Sequence, residues 1–440
     1  MTAWAILPSP AAARNRKVPA ADAETILSAM SGAFLLALAL LSAPCAAKGL
    51  RFMVTIDAGP AERRDAPVAV RLGVREHFSA DEARQLHPFV TATLEPAGEP
   101  SARRAIQAEF VLGADGAPAA IEAFWVEARL AAGYRVSYVL TLAGASAGSG
   151  TGFHYDEGTG YRDLLYAGRP VWRHVTAYDP ARHEETSKVF HALFGTKEDR
   201  RDFITKGPGG FYSHHRGLFI GWRDVEAGGK HYDFWHCPDV ALRHRNYLPA
   251  RELAGPVVAR EAAVNEWTDQ SGAAVVRETR EVTTWRAREG EWVLDFVFAL
   301  EAAAGPVGLG GDAQHAGFQF RAAQEVADRK DAAYLRPASA RGTGDDLWED
   351  CSWAACCFDA RGRSYTVLHI DHPSNPRPMT YSTRDYGRFG SFFTASITPG
   401  TPLELRYRVR VRDDNASPAW CQGAYDDYVA PVRMAAERLP

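Results

Sequence analysis

The sequence predicts an all-β protein: an N-terminal β-sandwich domain followed by a large antiparallel, supersandwich-like β domain. Apolar and polar residues alternate through Tyr134–Leu142, Trp292–Leu300 and Leu403–Val411, the period of a strand with one buried face. Parallel strands buried on both sides would be apolar throughout, so the alternation favours antiparallel sheets with one face wet. Capped helices are nearly absent, and the strands recur at spacings too short for helical crossovers.

A chain of 440 residues, 46% hydrophobic and 24% charged, can build two or three domains with full cores. Its 50 Lys and Arg and 54 Asp and Glu are mixed along the chain, for a net charge of -4. No strongly basic face is forced, so nucleic acid is not expected as a partner.

Residues 1–47 read as a signal-peptide region. Gly32–Ala43 has the length of an export h-region and is too short to span a bilayer. Arg14, Arg16 and Lys17 precede it, Cys45-Ala46-Ala47 offers a cleavage site, and Met30 is an alternative start. Pro44 departs from a lipoprotein site at Cys45, so a periplasmic or secreted protein is expected before a lipid-anchored one. In an oxidising compartment Cys237, Cys351, Cys356, Cys357 and Cys421 could pair. Cys356 and Cys357 are not expected to bond to one another, because adjacent cysteines close a strained ring; any bridge should instead join one of them to Cys351, Cys237 or Cys421.

Residues 48–145 form the expected first domain. One short helix interrupts it, announced by the capping box Ser79-Ala80-Asp81-Glu82. Ala143–Gly152 is small, uncharged and flexible, and reads as a linker. The second domain, 146–415, is too long for a simple immunoglobulin sandwich. A tail at 416–440 turns helical from Tyr425 to Leu439.

Four stretches of the second domain carry chemistry. In Phe211–Trp222 the pair His214-His215 and Arg216 stand directly before a strand whose Leu218, Ile220 and Trp222 share a face. Read as pleat, His214 and Arg216 point one way and His215 the other. After a Gly228-Gly229 turn come Asp233, Trp235 and His236, which a hairpin would bring near His214. Converging imidazoles would suit a divalent metal with Asp233 as an oxygen ligand; an aromatic-lined polar pocket explains the same residues without one. In Gly310–Arg321, His315, Gln319 and Arg321 share the face opposite Phe318 and Phe320. This face is either the floor of a polar groove or an outer surface. In Leu368–Pro376, Asp371, His372 and Asn375 sit in a proline-fixed loop that presents side chains or simply caps a sheet end. In Tyr381–Gly387, Arg384 and Tyr386 fall on one strand face and could bind a carboxylate or hydroxyl and move a proton.

The succession His-His-Arg-Gly-Leu-Phe, Asp-Phe-Trp, Gly-Phe-Gln-Phe-Arg, Asp-His-Pro-Ser-Asn-Pro-Arg and Arg-Asp-Tyr-Gly, in this order between Arg169 and Val411, resembles a bacterial family of unassigned function labelled "PmoA-like methane oxygenase". Where many members show Lys-Glu-Gly, this chain has Gln314-His315-Ala316. The resemblance implies a large β-sandwich protein from bacteria that frequently degrade complex carbohydrates. The membrane methane enzyme is a transmembrane copper protein, and no spanning helix is legible here.

The expected function is therefore an exported carbohydrate-active enzyme, lyase- or epimerase-like, on a small-molecule or glycan substrate. His214, His215, His236 or His315 would act as base, Arg216, Arg321 or Arg384 as cation, and Tyr386 as acid. Trp222 and Trp235 would add aromatic surface for sugar. A two-carboxylate hydrolase ranks lower, with Asp233 and Asp371 the paired candidates. A non-catalytic glycan-binding protein and a metal-dependent oxygenase or hydrolase remain alternatives.

Overall fold

The alternating segments become strands that pair antiparallel with their neighbours. The computed structural model describes residues 49–86, 89–113, 116–145, 152–196, 202–344 and 346–440. The leader expected at 1–47 and linker residues 146–151 lie outside these. No helix among the described residues is long and apolar enough to cross a membrane.

Seven strands, Leu50–Asp57, Arg63–Gly73, Phe89–Pro96, Arg104–Leu112, Pro118–Leu130, Arg135–Ala145 and Arg433–Arg438, follow one hydrogen-bonded path. Their inward residues, among them Phe52, Val54, Val70, Ile121, Trp125 and Leu140, form a core of their own. The capping box forms as read: the Ser79 amide donates to Glu82 Oε2 at 2.9 Å and the Glu82 amide to Ser79 Oγ at 3.3 Å. The chain's end departs from expectation. Its helix runs Pro418–Val429, and Arg433–Arg438 then adds a strand beside Leu50–Asp57.

Ala143–Ala145 of the expected linker continue the strand Arg135–Ala145; from Phe153 on, a ten-stranded and a nine-stranded sheet pack face to face. Leu218, Ile220, Trp222, Phe318 and Phe320 of the first meet Leu294, Phe296, Phe298, Tyr407 and Val409 of the second in the largest core. A four-stranded sheet, including the hairpin Asp224–Ala227 and Lys230–Tyr232 around Gly228-Gly229, lies alongside in sequence.

The expectation of one wet face fails on the nine-stranded sheet. Arg408 and Arg410 alternate with buried apolar residues yet are themselves buried, stacked on Tyr428 and Trp420 of the C-terminal helix. Elsewhere Phe124 of the first sandwich packs on Trp285 and Val258, and Gln107 Oε1 accepts the amides of Val257 and Val258 at 3.0 and 2.9 Å. Alternation reports which residues face the core and says nothing of what a later element lays over the other side. The five described cysteines are free, and Cys356 and Cys357 are not bonded to one another, as expected. Cys356 and Cys357 follow one another in a strand, so their side chains leave on opposite faces.

Candidate functional site

The outer face of the ten-stranded sheet carries the site, and a buried lysine shapes it. The strand expected to begin near His214 begins at Leu218. Before it, Gly207–Arg216 bends around Lys206, whose Nζ donates to the carbonyls of Gly207 (3.0 Å), Gly209, Tyr212 (3.2 Å) and His215 (3.5 Å). The pleat reading of His214, His215 and Arg216 is therefore corrected, because these residues curl about an ammonium. The curl forces Tyr212 into the left-handed region at φ 55°, strained for a side chain with a Cβ. Lys188 does the same work one turn away, donating to the carbonyls of His214 (3.0 Å) and Trp235.

Three of the predicted imidazoles gather here. The His214 and His236 rings lie 4.5 Å apart and the His236 and His315 rings 5.4 Å. His236 Nδ1 is 2.8 Å from Asp233 Oδ2, and His315 Nδ1 is 2.8 Å from Asp312 Oδ1. Each is an Asp-x-x-His turn whose carboxylate orients the ring and leaves Nε2 for other work. Asp233 Oδ1 also accepts the amides of Trp235 and His236 at 3.0 and 2.8 Å, so Asp233 serves its own turn and is not a spare metal ligand. His215 lies deeper, against Trp235 at 5.6 Å and parallel to Tyr386 at 6.1 Å. Over them sit Tyr212, 5.2 Å from Tyr386 between ring centres, and the exposed Phe211.

Arg321, Gln319 and Arg388 project from the sheet beneath. Arg321 donates to the Tyr386 carbonyl and its guanidinium lies 4.8 Å from the Tyr386 ring. Arg388 donates to Gln319 Oε1 at 3.2 Å and Ser382 Oγ at 3.1 Å. Arg216 donates to the carbonyls of Glu184 and Ser213.

The electrostatics set this region apart. Among the described residues ten Lys and Arg are buried. Five have a carboxylate partner: Arg63 with Asp427, Arg162 with Glu252, Arg280 with Glu278, Arg408 with Asp295 and Arg410 with Glu291. Among the described residues the other five, Lys188, Lys206, Arg216, Arg321 and Arg388, have none within 4.0 Å, and all five lie in this site. Their pKa values follow. Burial first, then Arg321 and Arg216, pushes Lys206 down to about 7, and burial takes Lys188 to about 8 and Arg321 to about 10. Burial first, then Lys188 and His236, holds His214 far below its usual value; burial, His214 and Arg388 do the same for His215. Both rings are neutral at pH 7.

Several predicted residues are elsewhere. Trp222 points into the core and donates to the Phe393 carbonyl at 3.1 Å. Asp371 is buried with Asn375 (3.1 Å), Ser391 (3.0 Å) and Arg377 (2.7 Å), a network that fixes the proline loop, while His372 packs on Tyr428 of the tail helix. Asp233 and Asp371 thus hold separate networks and do not form a hydrolase pair. Arg384 stands 3.5 Å from Asp346, and Tyr386 is in the turn after that strand, not on its face. Lys188, Lys206, Arg388 and Asp312 were missed. The repeated Asp-x-x-His spacing of 233–236 and 312–315 was the legible signal for Asp312; lone lysines gave none.

One group of described residues, His174, His191 and Glu261, places three ligand atoms close enough for a metal ion. It lies between the sheets rather than at the predicted triad. Glu261 Oε1 is 2.8 Å from His174 Nδ1 and 3.4 Å from His191 Nε2. Arg162 stands 3.8 Å from Glu261 Oε2, and Arg280 depresses the pKa of both imidazoles after burial has. Unit charges 4 Å apart at an effective dielectric near 20 interact by about 4 kcal/mol, so these guanidiniums already hold the place a cation would take.

The sequence pattern of the family of unknown function DUF6807 matches residues 162–426, more than half of the chain. The chain belongs to this family. The match brings no methane-oxygenase designation, so the label suggested by resemblance is not carried further. The family region holds every residue of the site just described and leaves the first sandwich outside. No curated protein matches the chain.

Proposed function

We propose that this member of DUF6807 is an exported carbohydrate-active enzyme that moves a carbon-bound proton of a sugar derivative, as a lyase or an epimerase does. The observation that carries this reading is the contact of His214, His236 and His315, with Tyr212 standing 6.0 Å from His214 and 5.2 Å from Tyr386 between ring centres and against Phe211. Proton abstraction needs a base with a free lone pair and a cation near the carbon that becomes negative. Asp233 fixes His236 by Nδ1, which leaves Nε2 to act as the base. Arg321 and Arg388 supply positive charge, and Tyr386 supplies a proton at the leaving or opposite side. Stacking on Phe211 and Tyr212 suits a sugar face.

The test is a screen of purified full-length protein against oxidised and unoxidised glycans, followed by His236→Ala and His214→Ala. Turnover that falls by two to four orders of magnitude in His236→Ala, with an unchanged melting temperature, is expected. Binding of glycans with no turnover in the wild type would assign a glycan-binding protein instead. The paired Asp–His turns are also how metal ligands are oriented, so metal analysis belongs in the same experiment. Activity that vanishes with a chelator and returns with a divalent ion would replace the proton-transfer reading with a metal-dependent one.

A further inference from the structure

Five buried cations without a carboxylate form one group, and the burial of an unpaired charge costs several kcal/mol per ion. Lys188 and Lys206 offset part of that cost by gathering backbone carbonyls. Arg321 has a single backbone carbonyl, that of Tyr386, and Arg388 has only the side-chain oxygens of Gln319 and Ser382. Arg321 Nε and Nη2 and Arg388 Nε are buried with no acceptor, and Trp235 Nε1 and His215 Nδ1 beside them are likewise unmatched. Buried donors are rarely left open in a native fold unless something absent completes them. Arg321 and Arg388 stand opposite one another on adjacent strands, the Arg321 guanidinium lies 4.8 Å from the Tyr386 ring centre, and His215 lies parallel to that ring. A guanidinium fork matches a planar carboxylate in two parallel hydrogen bonds.

We propose that the substrate is an acidic sugar of uronate type whose carboxylate docks on Arg321 and Arg388 beneath Tyr386. This rests on the proton-transfer reading and gives it a substrate class. A hydrogen on the carbon next to a carboxylate becomes removable once the carboxylate charge is neutralised. The base takes that proton, and the C–H electron pair moves into the carboxyl group as an enolate held by the two guanidiniums. In a lyase the pair returns to form a carbon–carbon double bond as the neighbouring C–O bond breaks, and the leaving oxygen takes a proton from the acid. In an epimerase the carbon regains a proton from the other face. Atoms and electrons balance in both without a redox partner. A bound anion also offsets the Arg388 and Arg321 charges that, after burial and His214, hold His215 weakly basic.

The test is calorimetric titration of full-length protein at pH 7 with glucuronate, glucose and inorganic phosphate, in the wild type, Arg321→Lys and Arg388→Gln. Glucuronate is expected to bind saturably and at least tenfold more tightly than glucose, and each variant to lose at least tenfold of that affinity without a lower melting temperature. Arg388→Gln serves if Arg321→Lys does not fold. Equal binding of glucuronate and glucose, or glucuronate affinity indifferent to both variants, overturns the inference. Phosphate binding more tightly than glucuronate on the same arginines also overturns it, in favour of a phosphorylated ligand. Binding is read without turnover, so the two proposals fail separately. His236-dependent turnover of neutral glycans alone sinks the acidic substrate and spares the acid–base chemistry. Glucuronate binding with no turnover of any uronate-containing glycan does the reverse.

Discussion

The arginines of the nine-stranded sheet and those on the outer face of the ten-stranded sheet are equally buried and have opposite company. Arg410 and Arg408 sit beside Glu291 and Asp295, whereas Arg321 and Arg388 have only neutral acceptors. Burial alone therefore does not separate the two sets; the counter-charge does. Where the fold needs a buried cation it supplies a carboxylate, as Asp295 on the strand opposite Arg408 or Glu278 two residues before Arg280. Where it withholds one, the charge is available to a ligand.

That contrast breaks most sharply in paired and unpaired substitutions. Glu278→Gln leaves Arg280 buried without its partner and is expected to lower unfolding free energy by about 3–5 kcal/mol, whereas Arg388→Met removes a charge that had none and should leave stability level or higher. Chemical denaturation of the two variants checks this, and equal losses would erase the distinction.

Next in size is pH. Burial keeps His214, His215, His174, His191 and His369 neutral, with pKa values below the usual one. The unfolded chain binds more protons than the native one below about pH 6.5, so stability falls as pH drops through that value. Lys206 and Lys188, lowered to about 7 and 8, place the same sign at the other end: stability should rise between about pH 7 and 10. Melting curves across both windows test the signs, and Lys206→Met should flatten the upper one.

A smaller effect sharpens the role of the Asp–His turns. Asp312→Asn keeps the hydrogen bond geometry to His315 and removes the charge, and a several-fold loss of turnover with unchanged substrate affinity is expected. Loss of affinity alone would make His315 a binding residue. The smallest effect concerns Tyr212, held at φ 55°. Tyr212→Gly should stabilise by about 1 kcal/mol from relief of that conformation, while weakening sugar binding; a destabilised variant would mean the ring's packing on Tyr386 outweighs the strain.

Much of the sheet architecture was legible because Leu405, Tyr407, Val409 and Val411 report their face by period alone. The burial of Arg408 and Arg410 was not, since it depends on a helix that begins at Pro418, and the closing strand Arg433–Arg438 is too polar to announce itself. At the site, His214, His236, His315, Trp235, Arg321 and Tyr386 were found through residue types that are costly to bury unpaired. The curl of His214–Arg216 was hidden because Lys206, eight residues before His214, sets it through backbone carbonyls, which sequence does not display. Asp371 and Asn375 carried the same chemical types and proved to fix a loop, which residue type alone does not distinguish from a binding role.

The central claim is that Arg321 and Arg388 are kept without counter-charges for a ligand rather than for the fold. Thermal unfolding of the wild type and Arg388→Met at pH 7, with and without saturating glucuronate, tests it most directly. Without ligand the variant is expected to melt at or above the wild-type temperature, and glucuronate to raise the wild type alone. A variant that melts well below the wild type, with both or neither shifted by glucuronate, would contradict it.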